Sequence, residues 1–149
     1  MQPRIDYQKA DAASLQAMLQ LEKHVTTNGI EPRLRELIKL RASQINGCAY
    51  CVDMHSRDLR KGGETEQRLN VLCVWRESPA FTEKERAALA WTEAVTLISQ
   101  TGVPDDVYEA FARHFTEQEQ VQLTLLIGTI NVWNRLAISF RAMHPVVAA

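Results

Sequence analysis

An excess of charge of either sign is missing from this sequence: 17 Lys and Arg stand against 18 Asp and Glu, a formal net charge of −1. Without a basic stripe there is no electrostatic footprint for nucleic acid or for an anionic membrane surface, and neither is expected as a partner. The first thirteen residues lack a continuous apolar stretch, since Arg4, Asp6, Lys9 and Asp11 interrupt them. Neither a signal peptide nor a transit peptide is expected there, and the default compartment is cytoplasmic. Cysteine is scarce. The three present, two of them separated by only two residues, do not form the even, dispersed set of a secreted disulfide scaffold, and in a reducing compartment such a pair points to redox chemistry or metal. No segment shows the sustained period-2 alternation of β-branched and aromatic residues that a strand needs, which excludes a sheet and leaves an all-α fold. Low-complexity tracts, linkers and internal repeats are likewise missing. With 149 residues and 46% hydrophobic content, the chain can bury one core and is short for two, so residues 1–149 are read as a single domain.

What is there reads as helices punctuated by capping signals. A first amphipathic helix is expected to place Leu15, Met18, Leu19 and Val25 on one face before Asn28-Gly29 ends it. A second begins with Pro32 in its first turn, where a missing N–H costs nothing, continues through Leu34, Leu37, Ile38, Ala42 and Ile45, and stops at Asn46-Gly47. The third, Cys48 to Lys61, closes at Gly62-Gly63. Thr82 with Glu85 and Thr116 with Glu119 both spell a capping box. After the first, Ala87, Ala88, Trp91, Val95 and Ile98 recur at helical spacing until Thr101-Gly102. After the second, a helix to about Met143 is apolar almost all round, as expected of a helix buried in a core or between subunits. Gln122, Asn131, Asn134 and Arg135 interrupt it too often for a bilayer span.

The informative stretch is Asn46-Gly47-Cys48-Ala49-Tyr50-Cys51-Val52-Asp53-Met54-His55, at the start of a helix. Residues three and four apart share a helix face, so Cys48 lies beside Cys51 and Cys51 lies one turn from His55. The partial positive charge of the helix N-terminus favours thiolate over thiol, and a nearby imidazole adds to this or shuttles protons. A thiolate that attacks a peroxide oxygen becomes a sulfenic acid, which a neighbouring thiol converts to a disulfide. The departing oxygen needs a proton, for which His55 is the local candidate, with Glu36 behind it if the Asn46-Gly47 turn folds the two helices antiparallel. Position nearest the terminus favours Cys48 as the nucleophile; proximity to His55 favours Cys51.

Glu36, eleven residues, Cys48, two residues, Cys51, three residues, His55, six residues, Gly62 resembles the signature of the alkylhydroperoxidase D (AhpD) family, within the wider carboxymuconolactone decarboxylase superfamily. Ala90-Trp91-Thr92-Glu93-Ala94 and Asn131-Val132-Trp133-Asn134-Arg135 extend the similarity over roughly residues 30 to 141. The resemblance implies an AhpD-like helical bundle in which Cys51 is the peroxidatic cysteine, Cys48 resolves it, and His55 with Glu36 relays protons. It implies no bound cofactor, a peroxide substrate, a thiol or dithiol reductant not identified by the sequence, and a homo-trimer or homo-hexamer. Some members carry histidine where this chain has Tyr50.

Other readings compete for the same residues. Zinc could be held by Cys48, Cys51 and His55 with Cys73, Glu36 or Asp53 as a fourth ligand, although structural zinc sites draw ligands from two separated knuckles rather than one short helix. The two cysteines could be small core residues. A lactone decarboxylation of the carboxymuconolactone type and a non-catalytic disulfide exchange role also remain. Cys73, inside Leu69–Trp75, is expected to be core filler. Glu93 and Arg135, embedded among apolar residues, are each expected to form an ion pair or an interface contact.

Overall fold

The computed structural model describes residues 2–146, and among them there is no strand. Ten helical segments follow one another: α1 (Tyr7–Ala10), α2 (Ala12–Thr26), α3 (Pro32–Asn46), α4 (Ala49–Lys61), α5 (Glu66–Val71), a 3₁₀ turn (Leu72–Glu77), α6 (Glu83–Thr96), α7 (Ile98–Thr101), α8 (Asp105–Ala112) and α9 (Glu117–Phe140).

Helix α3 is the centre of the molecule, packing against α4, α6 and α9. Its two apolar rows serve two cores. Leu34 and Ile38 join Val25, Phe111, Phe115, Leu123 and Ile127 in one, while Leu37 and Leu40 join Leu59, Leu72, Trp75, Phe81 and Leu89 in the other. Pro32 starts α3, and Gly47, at φ 71°, ends it in the left-handed conformation that favours glycine. That single joint turns the chain back into α4, which lies against α3.

Both capping boxes form as the sequence predicts: Thr82 and Thr116 accept from the backbone N–H of Glu85 and Glu119, whose carboxylates accept from the cap N–H groups. Helix α9 is long and apolar enough, by composition, to cross a membrane. In this fold it packs on α2, α3, α6 and α8, burying Leu123, Leu126, Ile127, Ile130, Asn131, Asn134 and Ala137 along one stripe. Its asparagines pin it to the end of α3. Asn46 Nδ2 donates to Asn131 Oδ1 (2.9 Å) and Asn134 Oδ1 (2.8 Å), and Asn134 Nδ2 donates to Ser43 Oγ (3.0 Å).

Several expectations change in three dimensions. Of the predicted apolar face of the first helix only Val25 is fully buried; Leu15 and Met18 are half-buried and Leu19 is exposed, while Leu21 packs against the core beside Val25. The helix after Thr82 breaks at Leu97 and restarts, leaving Ile98 exposed. Cys73 is exposed rather than core: the 3₁₀ turn directs Leu72 and Trp75 inward and Cys73 outward. Glu93 does form ion pairs, with Arg41 (2.7 Å) and Arg76 (2.8 Å), and accepts from Trp75 Nε1 (2.8 Å). Arg135 is exposed and instead donates to Asn131 O and Oδ1 of its own helix. Among the described residues no acidic group pairs with it, which leaves the interface contact as the remaining form of that expectation.

The end of α4 is secured by a buried carboxylate. Glu64, its side chain fully enclosed, pairs with Arg33 of α3 (2.9 Å) and Arg68 of α5 (2.9 Å) and accepts from the Thr65 backbone N–H (3.0 Å). Burial pushes its carboxyl up, but Arg33, the Thr65 N–H and Arg68 outweigh burial and hold it below its ordinary value. Glu64→Ala would remove this partner from Arg33, which is half-exposed, and from Arg68, which keeps Glu85, so a loss of about 1.5 kcal/mol is expected, the scale of one hydrogen bond to a charged group. Urea unfolding of wild type and variant checks it; a loss under about 0.5 kcal/mol, the range of ordinary surface substitutions, would refute the assigned role. Because the folded carboxyl is depressed, this contribution is present above the ordinary carboxylate range and disappears as pH falls through the folded value.

Candidate active site

Cys48 is the N-cap residue of α4, its extended backbone (φ −83°, ψ 95°) placing Sγ where a serine or threonine oxygen commonly sits, and Sγ accepts from the Cys51 N–H at 3.3 Å. Cys51 follows in the first turn. Cys48 and Cys51 are joined as a disulfide with Cα atoms 5.3 Å apart, and both are almost completely buried, at 1% and 2% exposure. They rest against Ala137 of α9, with Tyr50 alongside. In the reduced protein the N-terminal peptide dipoles of α4 would favour thiolate on either sulfur.

One turn on, His55 is buried, and its Nδ1 lies 2.7 Å from Glu36 Oε2. The hairpin at Gly47 thus brings Glu36 back alongside the cysteine helix. The short contact to a carboxylate favours the tautomer with the proton on Nδ1, leaving Nε2 as the basic nitrogen. Nε2 is buried and has no hydrogen-bond partner. A buried imidazole nitrogen without a partner, on the same helix face as Cys51, is placed to exchange a proton with whatever occupies the space beside that sulfur.

Sequence reasoning missed Lys39. It is buried in the apolar run Leu37–Leu40, with Nζ 2.5 Å from Glu22 Oε1 and 3.6 Å from Glu36 Oε1. Glu22 is itself fixed by Trp133 Nε1 at 3.0 Å. A lysine interrupting an otherwise apolar helix face was the available signal, since buried lysines are rare unless paired. Burial pushes the Glu36 carboxyl up, but the hydrogen bond and charge of His55, reinforced by Lys39, hold it below its ordinary value of 4.5. The four groups alternate in sign when His55 is protonated: Glu22, Lys39, Glu36, His55.

These groups face a pocket of about 340 Å³, lined on its polar side by Glu22, Glu36, Lys39 and His55, with Cys51 exposed to it and Cys48 behind. Among the residues offered for zinc, Asp53 pairs with Arg57 at 2.6 Å and Cys73 lies on the exposed 3₁₀ turn. Glu36, His55 and Asp58 do bring one ligand atom each within 4.8 Å of one another, a set able to hold a divalent cation. Metal binding there would have to compete with the short His55–Glu36 hydrogen bond.

Residues 12–94 match the model of the carboxymuconolactone decarboxylase family. The chain belongs to that family. Within the family it is AhpD-like. It is 51% identical to a crystallised protein of unknown function from Agrobacterium tumefaciens, for which an AhpD-type antioxidant defence role has been suggested, with a TM-score of 0.96 over 98% of this chain and 100% of the other. The uncharacterized protein YdfG of Bacillus subtilis (strain 168) is 42% identical over 139 residues, covering 93% of this chain and 95% of its own. An alkylhydroperoxidase AhpD core from Ralstonia eutropha JMP134, an uncharacterized peroxidase-related protein, shares the fold at 21% identity, with a TM-score of 0.80 over 91% of this chain and 73% of its own.

Proposed function

We propose that this carboxymuconolactone decarboxylase family member is a thiol-dependent peroxidase that reduces hydrogen peroxide or organic hydroperoxides through a Cys48–Cys51 disulfide cycle. The observation that carries the reading is the convergence of a buried Cys-x-x-Cys pair, at a helix N-terminus, with the Glu36–His55 dyad on one pocket. Cys51 is the nucleophile, because it faces the pocket and shares a helix face with His55, whereas Cys48 lies behind it.

In the reduced protein, His55 Nε2 takes the Cys51 proton, and the thiolate attacks the terminal oxygen of the hydroperoxide. The O–O bond breaks, Cys51 becomes a sulfenic acid, and His55 returns the proton to the departing oxygen, releasing water or an alcohol. Cys48 then attacks the sulfenic sulfur, giving the disulfide and one water. Two thiols of an external donor, oxidised to their own disulfide, restore the pair. Glu36 holds the imidazole in the required tautomer and stabilises its protonated form; Lys39 keeps Glu36 ionised. No bound cofactor enters the cycle. A lactone decarboxylation has no use for a dithiol, which is why this reading ranks below the peroxidase. A slow disulfide exchange role would use the same residues and differs only in rate.

The reading is tested by counting thiols, with mass spectrometric mapping, before and after one equivalent of cumene hydroperoxide. Loss of two thiols within seconds as a Cys48–Cys51 disulfide supports it; three unreactive thiols would sink it.

The proposed enzyme works as an oligomer of identical chains. Opposite its buried stripe, α9 exposes Val121, Leu125 and Val132, an apolar row at helical spacing more suited to a subunit contact than to water. Light scattering of the purified protein is expected to report a trimer or hexamer, and Leu125→Glu with Val132→Glu to dissociate it. A monomeric wild type would refute the assignment.

A further inference from the structure

The family match begins at residue 12, yet part of the pocket wall comes from before it. Tyr7 and Gln8, on α1, line the same cavity as Cys51 and His55. The segment is tied down at the far end of α9. The Arg4 backbone N–H donates to Phe140 O (3.1 Å), Arg4 Nη1 donates to Ser139 O (2.9 Å), and the Tyr7 ring stacks on Phe140 with centroids 5.9 Å apart. The last carbonyls of a helix lack intrahelical partners and carry partial negative charge, so a guanidinium is suited to them. On the other side of Tyr7, Asp11 caps α2 by accepting from the Ser14 N–H. Residues 4–11 therefore form a strap fixed at both ends.

The pocket lining is of two kinds. Its acid-base groups are already described. Beside them stand Tyr7, Tyr50, Met54, Ile130 and Trp133, a largely aromatic and sulfur-bearing surface that a small peroxide would leave mostly uncovered. A cavity of about 340 Å³ also far exceeds the roughly 30 Å³ share of a water molecule, the scale of hydrogen peroxide. Burial, the largest influence on the Tyr7 phenol, raises it above its ordinary value, so the ring meets the pocket uncharged.

We propose that Tyr7 is a specificity-determining residue, selecting substrates that carry an aromatic or bulky apolar group by packing that group against its ring, Tyr50 and Trp133. The choice of a hydroperoxide as the reacting part rests on the peroxidase reading; the recognition of the apolar part does not.

Two measurements separate the two claims. The first is calorimetric binding of 2-phenyl-2-propanol, the alcohol left by reduction of cumene hydroperoxide, to the disulfide form of wild type, Tyr7→Phe and Tyr7→Ala. Tyr7→Ala is expected to bind about tenfold more weakly, the scale of one lost aromatic contact with its buried area, while Tyr7→Phe restores binding to within about twofold. The second is turnover with dithiothreitol as the electron donor. The ratio of kcat/KM for cumene hydroperoxide to that for hydrogen peroxide is expected to fall about tenfold in Tyr7→Ala, through KM rather than kcat. No binding of the alcohol to wild type, equal binding by Tyr7→Ala, or an unchanged ratio would each overturn the proposal. If wild type binds the alcohol through Tyr7 but consumes no peroxide, the peroxidase reading falls and the assignment of Tyr7 stands.

Discussion

Cys51→Ser is expected to abolish the reaction with cumene hydroperoxide, a loss of roughly 10⁴–10⁶-fold, the size seen when an enzyme nucleophile is removed. Serine at this position has neither the acidity nor the polarizability to attack an O–O bond, and His55 would face a hydroxyl too weakly acidic to ionise. Cys48→Ser separates the two steps. Its Cys51 is still expected to consume one equivalent of peroxide, but the product should stop at a sulfenic acid, trapped by dimedone and seen as an adduct on the Cys51 peptide. The exposed Cys73 provides an internal reference, because of three thiols in the wild type one should survive. The roles would have to be exchanged if Cys51→Ser kept its reaction and Cys48→Ser lost it.

Removal of the proton carrier should be nearly as severe. His55→Ala is expected to slow disulfide formation by roughly 10²–10⁴-fold, the usual range for a general acid-base group. Glu36→Gln, which keeps the shape and loses the charge, is expected to cost at least about 10–100-fold, the range seen when a carboxylate that orients a metal-bound histidine is lost. The pH dependence identifies the mechanism. Although burial opposes it, contact with His55 and Lys39 holds the Glu36 carboxyl below 4.5, so Glu36 stays ionised throughout the neutral range. It protonates only as pH falls below the ordinary carboxylate region, where both its stabilising contact and its hold on His55 are lost. Stopped-flow rates against pH should show this acid limb in the wild type and lack it in Glu36→Gln. Identical acid limbs in the two proteins would mean that Glu36 does not act through His55.

Features determined by neighbours in the chain were legible before the fold was known. Pro32, Gly47, Thr82–Glu85 and Thr116–Glu119 mark helix ends because capping is settled within four residues, and each appears where the sequence places it. The Cys48, Cys51 and His55 spacing likewise needs only the pitch of one helix. Glu36 needed more, the left-handed turn at Gly47, and its contact with His55 rested on family spacing until the geometry was seen. Lys39 and Glu22 are 17 positions apart, Tyr7 reaches Phe140 across almost the whole chain, and Arg68 meets Glu85, also 17 positions away. No local pattern announces such partners, since they are chosen by packing. Cys73 illustrates the opposite error: an apolar stretch promised burial, but a 3₁₀ turn has its own period and put the thiol in water.

The hairpin at Gly47 also bears on how such a protein changes over generations. Glu36, Lys39, Cys48, Cys51 and His55 all belong to one stretch, α3 and the first turns of α4, whereas Tyr7, Ile130 and Trp133 of the apolar lining are borrowed from α1 and α9, far away in sequence. Reactivity is thus inherited as a block and selectivity is not. Substitution, lengthening or replacement of the ends can retarget the cavity while the reactive unit descends unaltered, so descendants of one ancestor would keep a common thiol chemistry and diverge in what they admit to it.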